Sequence, residues 1–366
     1  MNIVTSILKL TESCNYSCDF CRYANHRKVD DGMSLELIEK SLFETVNYNK
    51  KNGNLSNQII FHGGEPLLYG LDRFNAIIEI EKRLSKEYGV TFDNKIQTNG
   101  ALLNEDWCEF FKENSFHIGI SFDGPGDLNY HKSAKPVDFE ASFINAIKLL
   151  DSYNLNHGVI SVITSKHIGH EQELFDFFVG AKVHNLALNY CYNIEDNCSV
   201  DPVKLADFLI KLYDIYYKSS ADIHIRELDE TTKLVCGQNP SVCNMQRRCS
   251  CGSVLPITPN GDVAFCDDFC NKRIIGNIKE QSLEEIISSE LYKRYKEKSC
   301  LFVETICKDC EISDICSKGC SRVDINMERN YFCETYKIFN SYVRDKVNDI
   351  LKEKNILSVY KLKRML

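Results

Sequence analysis

The sequence lacks the features that mark several large protein classes. Its longest apolar runs fall far short of the roughly 20 residues a helix needs to cross a bilayer, so no membrane span is predicted. Lys and Arg are not concentrated beyond short runs such as Lys361-Leu-Lys-Arg364, and the net charge is −8, so no nucleic-acid groove is expected. The opening residues, Met1-Asn-Ile-Val-Thr-Ser-Ile7, carry neither a charged n-region nor a cleavage site, and a cytoplasmic location is expected. There are no internal repeats and no low-complexity segments, and Trp107 is the single tryptophan. These absences leave a globular chain of 366 residues, long enough for one large domain and a smaller one.

Cysteine, by contrast, is abundant. Eighteen cysteines without an export signal point to metal binding or catalysis rather than to disulfides. Cys14, Cys18 and Cys21 form Cys-x3-Cys-x2-Cys directly after a short apolar strand. Eleven more lie between Cys243 and Cys333, with only Cys108, Cys191, Cys198 and Cys236 separating the two groups. Three thiolates this close can hold an iron–sulfur cluster, which leaves one iron without a protein ligand, a place for a small molecule to bind. A structural zinc site wants four closed ligands, and the nearest histidine is His26.

Strand–helix alternation organises the first two thirds of the chain. Strands are predicted at 3–10, 58–61, 95–98, 118–122, 158–163 and 185–190, and helices at 34–52, 71–88, 104–114, 138–153, 169–180 and 201–219. Six such units suit a parallel β/α sheet curved into an open, partial barrel. Polar and Gly-rich segments follow the strands, and chemistry in such folds collects at the carboxyl ends of strands. From about residue 236 the alternation stops. Asn260-Gly261 between two apolar segments predicts a two-residue hairpin, and a helix is predicted over 282–297. A second helix is expected after Cys333.

These motifs, taken together, resemble the radical S-adenosylmethionine (SAM) enzymes that carry a SPASM domain. The resemblance rests on the Cys14/Cys18/Cys21 triplet with Phe20 before its last member, on Gly63-Gly64-Glu65-Pro66, on Gln97-Thr98-Asn99-Gly100 and on Ser121-Phe122-Asp123-Gly124-Pro125. It extends to Cys-x9–15-Gly261-x4-Cys266, to Cys307-x2-Cys310-x5-Cys316-x3-Cys320 and to Cys333. It implies a partial (β/α)6 TIM-like barrel over 1–225, a small cysteine-rich SPASM domain with a β-hairpin and helices over 226–340, and a helical tail over 341–366. It implies SAM and three [4Fe–4S] clusters as cofactors. Cys14, Cys18 and Cys21 would hold the SAM-binding cluster. Cys243, Cys249, Cys266 and Cys320 would hold one auxiliary cluster, with Cys251 competing for the place of Cys249; Cys307, Cys310, Cys316 and Cys333 would hold the other. A zinc ribbon is the alternative use of such Cys-x2-Cys pairs. The remaining cysteines read mostly as small buried apolar residues.

The same resemblance places SAM contacts at Tyr23, Gly63, Gly64, Glu65, Asn99, Ser121, Asp123 and Lys132. It makes Asp267, which follows Cys266 directly, the counterpart of a proposed general base in anaerobic sulfatase-maturating enzymes; a surface carboxylate near the hairpin is the alternative. His62 stands where that group usually has Gln, as a proton donor, a substrate contact or a polar strand-end residue without a role. Lys132 stands where many members have Arg. The implied activity is hydrogen abstraction from a peptide or protein side chain, nearest to the oxidation of Cys or Ser to formylglycine. The alternative is a ribosomal-peptide maturase that cross-links or epimerises residues. Many of those carry an N-terminal peptide-binding domain; with the first strand read from residue 3, none is expected here, which weakens that reading. A small-molecule oxidoreductase and an electron-transfer iron–sulfur protein are further readings, and an electron donor such as flavodoxin or ferredoxin is an implied partner.

Overall fold

The structure, a computed structural model, describes residues 3–18, 21, 32–133, 137–192, 198–246, 250–269, 272–305, 307–316, 319–320, 324–325 and 329–353. Along the chain run β1 (Thr5–Lys9), α1 (Leu35–Lys51), β2 (Ser56–His62), α2 (Leu71–Tyr88), β3 (Thr91–Thr98), α3 (Glu105–Glu113), β4 (His117–Ser121) and α4 (Phe139–Ser152). Then come β5 (His157–Ile163), α5 (Glu171–Gly180), β6 (Asn185–Tyr190), α6 (Pro202–Lys218), β7 (His224–Ile225) and α7 (Arg226–Val235). The cysteine-rich part adds β8 (Val254–Ile257), β9 (Asp262–Ala264), β10 (Ile274–Asn277), α8 (Leu283–Ser288), α9 (Glu290–Thr305), β11 (Asp324–Ile325), β12 (Arg329–Asn330) and α10 (Cys333–Glu353). The α/β class and the parallel strand–helix alternation read from the sequence are present. Among the described residues no helix is long and apolar enough to cross a membrane.

Local chemistry sets the element ends. Ser34 caps α1, its hydroxyl accepting from Leu37 N–H at 3.2 Å, and Asn104 caps α3 by accepting from Trp107 N–H. Gly89 ends α2 in the left-handed conformation, φ +65°. Two expectations are corrected. Thr258 N–H donates to Asp262 O, so the β8–β9 turn is a three-residue loop with Gly261 at φ +87°, not a two-residue one. The helix expected over 282–297 is two helices. Ser289 is extended (ψ 150°), ends α8, and starts α9 by accepting from Tyr292 N–H.

The chain divides into two compact units. The first comprises Met1–Ser121, Tyr130–His157 and Cys251–Glu297. Its strands run in the order β10-β9-β8-β1-β2-β3-β4. β1 lies between β2 and β8, both parallel to it, so both its edges are paired, and Leu8 and Leu10 are fully buried as in the interior of a parallel sheet. Phe61, Phe74, Trp107, Phe110, Phe111 and Phe116 form an aromatic core between sheet and helices, with Phe74 edge-on to Trp107 at 5.2 Å. The second unit comprises Phe122–Asn129, Gly158–Ser250 and Lys298–Leu366. In it β5, β6 and β7 are parallel and α10 packs on α6 and α7.

One buried acid in the first unit makes stability depend on pH. Glu81 of α2 accepts from Asn94 Nδ2 at 2.6 Å, and burial pushes its carboxyl up to about 8. The folded chain therefore keeps this proton where the unfolded chain, with an ordinary value of about 4.3, has released it. Stability falls as pH rises between those values and levels off above them. Glu81→Gln removes the effect. It is expected to match the parent near pH 4 and to exceed it by roughly 1–3 kcal/mol at pH 8, measured by denaturant unfolding at both pH values.

Candidate active site

After β1 the chain leaves the sheet at Leu10, whose N–H donates to His62 O at 2.8 Å, and crosses the ends of the neighbouring strands. The segment carrying the cysteine triplet is fastened at four points. Gly64 N–H donates to Thr11 O at 2.7 Å and Glu65 N–H to Ser13 O at 2.8 Å. Asn99 Nδ2 donates to Asn15 Oδ1 at 2.7 Å, and Ser17 N–H donates to Lys132 O. A Cβ on Gly63 or Gly64 would fall inside contact distance of the Thr11 or Ser13 carbonyl oxygen. The two glycines are thus required by the close approach of the cysteine loop itself. Within the loop Tyr16 is buried, edge-on to Phe139 at 4.9 Å and 5.5 Å from His131. Its N–H points at Cys14 Sγ, 3.4 Å away, and such bonds to sulfur tune cluster potentials.

Glu65 ties the loop to β3. Its carboxylate, 1% exposed, accepts from Leu67 N–H, Thr98 Oγ1 and Asn99 N–H at 3.0, 2.7 and 2.8 Å. Burial pushes its pKa up, while these three donors pull it back. Oε2 takes one of the three bonds, which leaves it capacity for a further donor such as an amine. Ser121, at the end of β4, accepts from Gln97 Nε2 at 2.8 Å. Lys132 has an exposed side chain and meets the cysteine loop through its carbonyl. Asp123 belongs to the second unit, where it is 1% exposed and accepts from Val162 N–H at 3.0 Å. Its carboxylate serves β5.

A second polar group gathers around β1. Lys9 lies opposite His62 in the β1–β2 register, and its Nζ is 2.6 Å from Asp267 Oδ1. His62 Nδ1 accepts from Gly63 N–H at 2.7 Å. Burial, helped by the Lys9 ammonium and opposed by Asp267, lowers the imidazole to about 4. His62 is therefore neutral near pH 7 and offers no imidazolium proton. The sequence reading missed Lys9 and Tyr16. The signal for Lys9 was a charge inside the apolar run Ile7-Leu8-Lys9-Leu10.

Of the auxiliary cysteines, Cys266 is half-buried in the first unit, beside Asp267. Phe265 and Tyr292 leave no room for a Cβ on Gly252, so the turn carrying Cys251 packs against the neighbour of Cys266. Cys243, Cys307, Cys310, Cys316, Cys320 and Cys333 belong to the second unit; Cys243 is exposed and the others half-buried. Cys108, Cys191 and Cys198 are buried as expected, with Cys191 and Cys198 sulfurs 2.8 Å apart, whereas Cys236 is exposed. Tyr23, Cys249 and Cys270 lie outside the described residues.

Among the described residues no three His, Cys, Asp or Glu side chains are placed to share one metal ion. A [4Fe–4S] cluster makes a different demand, since it spreads its thiolates over separate irons. Three half-buried thiols on a loop fixed by strand-end bonds, with an N–H aimed at one sulfur, fit that demand.

Comparison with known proteins points the same way. The Radical SAM superfamily profile matches residues 8–178, and the SPASM profile, an iron-sulfur cluster-binding domain, matches residues 249–311. The cysteine-type anaerobic sulfatase-maturating enzyme of Clostridium novyi is 30% identical over 365 residues, covering 93% of this chain and 95% of the relative. The serine-type enzyme of Bacteroides thetaiotaomicron is 28% identical, covering 93% and 89%. A solved structure of native anSMEcpe with bound AdoMet and Kp18Cys peptide superposes with a TM-score of 0.84 at 25% identity, covering 96% of this chain and 99% of that one. Streptococcus suis SuiB bound to its precursor peptide SuiA shares the fold, with a TM-score of 0.65 at 20% identity.

Proposed function

This chain belongs to the anaerobic sulfatase-maturating enzyme family of radical SAM proteins, and from that premise we propose that it oxidises a Cys or Ser side chain of a peptide segment to formylglycine. It is a SAM-dependent, peptide-modifying iron–sulfur oxidoreductase. The observation that carries the specific reading is the half-exposed carboxylate of Asp267, which directly follows Cys266 and is held by a buried lysine. When bound, SAM and its cluster supply the 5′-deoxyadenosyl group that removes a Cβ hydrogen atom, and an auxiliary cluster takes up one electron.

The remaining work falls to the protein's own residues. Cys14, Cys18 and Cys21 hold the cluster that binds SAM. Gly63 and Gly64 bring the strand-end backbone against their loop, and Oε2 of Glu65 receives the SAM amine. Asn99, Ser121 and Lys132 border SAM, and Tyr23 is assigned beside it by its place in the motif. Asp267 takes the Sγ–H or Oγ–H proton as the C=S or C=O bond forms at Cβ. With cysteine, water then replaces sulfur and hydrogen sulfide leaves. Neutral His62 serves as a polar contact for the substrate. By their places in the motif, Cys243, Cys249, Cys266 and Cys320 are assigned to one auxiliary cluster, and Cys307, Cys310, Cys316 and Cys333 to the other. A flavodoxin or ferredoxin supplies the electron that starts each cycle, in the cytoplasm, where thiols stay reduced.

The test is anaerobic incubation of the reconstituted protein with SAM and the Kp18Cys peptide, read by mass. The expected product has lost the cysteine sulfur and carries an aldehyde. A loss of two hydrogens with the sulfur retained would point instead to cross-linking and overturn the formylglycine reading.

A further inference from the structure

Lys9 is an unusual residue for its position. It ends β1, a strand covered on both sides by parallel neighbours, and its side chain is 2% exposed. A buried ammonium carries a large desolvation penalty, and an apolar side chain would often serve stability there as well or better. Its flanking residues Leu8 and Leu10 show what that environment otherwise accepts. Stability alone therefore does not account for the lysine.

The geometry of the pair is lopsided. The cation is enclosed, while the Asp267 side chain is 39% exposed. The ammonium holds Oδ1 from the buried side of the pair, and part of the Asp267 side chain stays accessible. The facing residue on β2 is His62, which is neutral near pH 7 and adds no competing positive charge to the pair. Asp267 itself sits in a single turn of 3-10 helix after β9.

We propose that Lys9 is a positioning residue for the reaction: from inside the sheet it anchors the Asp267 carboxylate where the substrate's Sγ–H or Oγ–H proton must be delivered. The inference rests on the general-base reading of Asp267 and adds to it the residue that makes the base effective. Without the anchor, the carboxylate loses the ion pair at Oδ1. The hydrogen-abstraction step, which needs only the cluster loop and SAM, continues.

The test uses anaerobically reconstituted full-length protein, SAM and the Kp18Cys peptide, with Lys9→Met, Lys9→Arg, Asp267→Asn and the Lys9→Met/Asp267→Asn double variant. Lys9→Met is expected to form 5′-deoxyadenosine within about twofold of the parent. It should make aldehyde about 10²-fold more slowly, the order of effect of misplacing a reacting group by about 1 Å. The loss should lie in kcat, with KM for the peptide little changed. Lys9→Arg, which keeps the charge, should restore much of the coupling between 5′-deoxyadenosine and aldehyde. The double variant should be no worse than Asp267→Asn alone.

Parental coupling in Lys9→Met overturns the proposal while Asp267→Asn still uncouples, and in that case the base reading stands. Parental aldehyde formation by Asp267→Asn overturns both. If Lys9→Met does not load its clusters, Lys9→Gln replaces it. Failure of both to load iron makes the role of Lys9 structural, which also overturns the proposal.

Discussion

Asp267→Asn is expected to leave 5′-deoxyadenosine formation near the parental rate and to cut aldehyde formation by about 10²–10⁴-fold, the usual contribution of a positioned acid or base. Asparagine keeps the size of the side chain and an oxygen for Lys9 to approach, so the backbone after Cys266 has no reason to move. What it loses is the ability to accept a proton. Hydrogen abstraction is the work of the cysteine loop and SAM, a step that comes before the proton transfer assigned to Asp267. The two readouts should therefore separate, and chromatography of 5′-deoxyadenosine beside the peptide's mass spectrum measures both in one sample. Aldehyde formed at the parental rate would assign the proton to another group.

Gly64→Ala is expected to have a comparably large effect by a different route. The added methyl group meets the carbonyl oxygen of Ser13, which is backbone and has no rotamer to escape into. Overpacking of this kind costs about 1–3 kcal/mol and is relieved only by a backbone shift. The shift would break the bond from Glu65 N–H to Ser13 O and displace Cys14, the next residue. The variant should therefore lose 5′-deoxyadenosine formation by about 10²-fold or more and lose about four irons per chain, the content of one [4Fe–4S] cluster. Iron analysis and the spectrum of the reduced protein check this. Full iron content with normal SAM cleavage would mean that the loop tolerates the shift.

The sequence exposed the parts of this site that obey a local rule. The strands and helices through α6 follow apolar periodicity and ordinary caps, so their positions were readable within a few residues. The cysteine spacing and the Gly63-Gly64 pair were also visible, though their reason was not. The glycines accommodate the cysteine loop's own backbone, a contact between segments about 50 residues apart that no local pattern encodes. The helix α7 escaped notice for a related reason. Only Leu228, Leu234 and Val235 of its ten residues are apolar, too thin a stripe to mark a packed helix, while Glu227, Asp229, Glu230, Thr231 and Thr232 are all buried in it. Their polar groups are satisfied tertiarily, as when Glu227 accepts from Leu188 N–H at 2.6 Å and Asp229 from the Tyr216 hydroxyl at 2.9 Å.

Lys9 and Asp267 lie 258 positions apart, and only the pairing of β8 with β1 brings their segments together. The motif next to Cys266 suggested a base. It contained nothing about what holds that base. His62 likewise read as a possible acid until its surroundings were known; enclosed beside a lysine, it is neutral.

The account's central claim is that this site removes a hydrogen atom from Cβ of a peptide side chain and finishes the oxidation there. The most direct test is the anaerobic reaction with a peptide whose reactive cysteine carries two deuterium atoms on Cβ. The account predicts one deuterium in 5′-deoxyadenosine and one retained on the aldehyde carbon of the product. Deuterium absent from 5′-deoxyadenosine, with both labels still on Cβ, would place the abstraction elsewhere and contradict it.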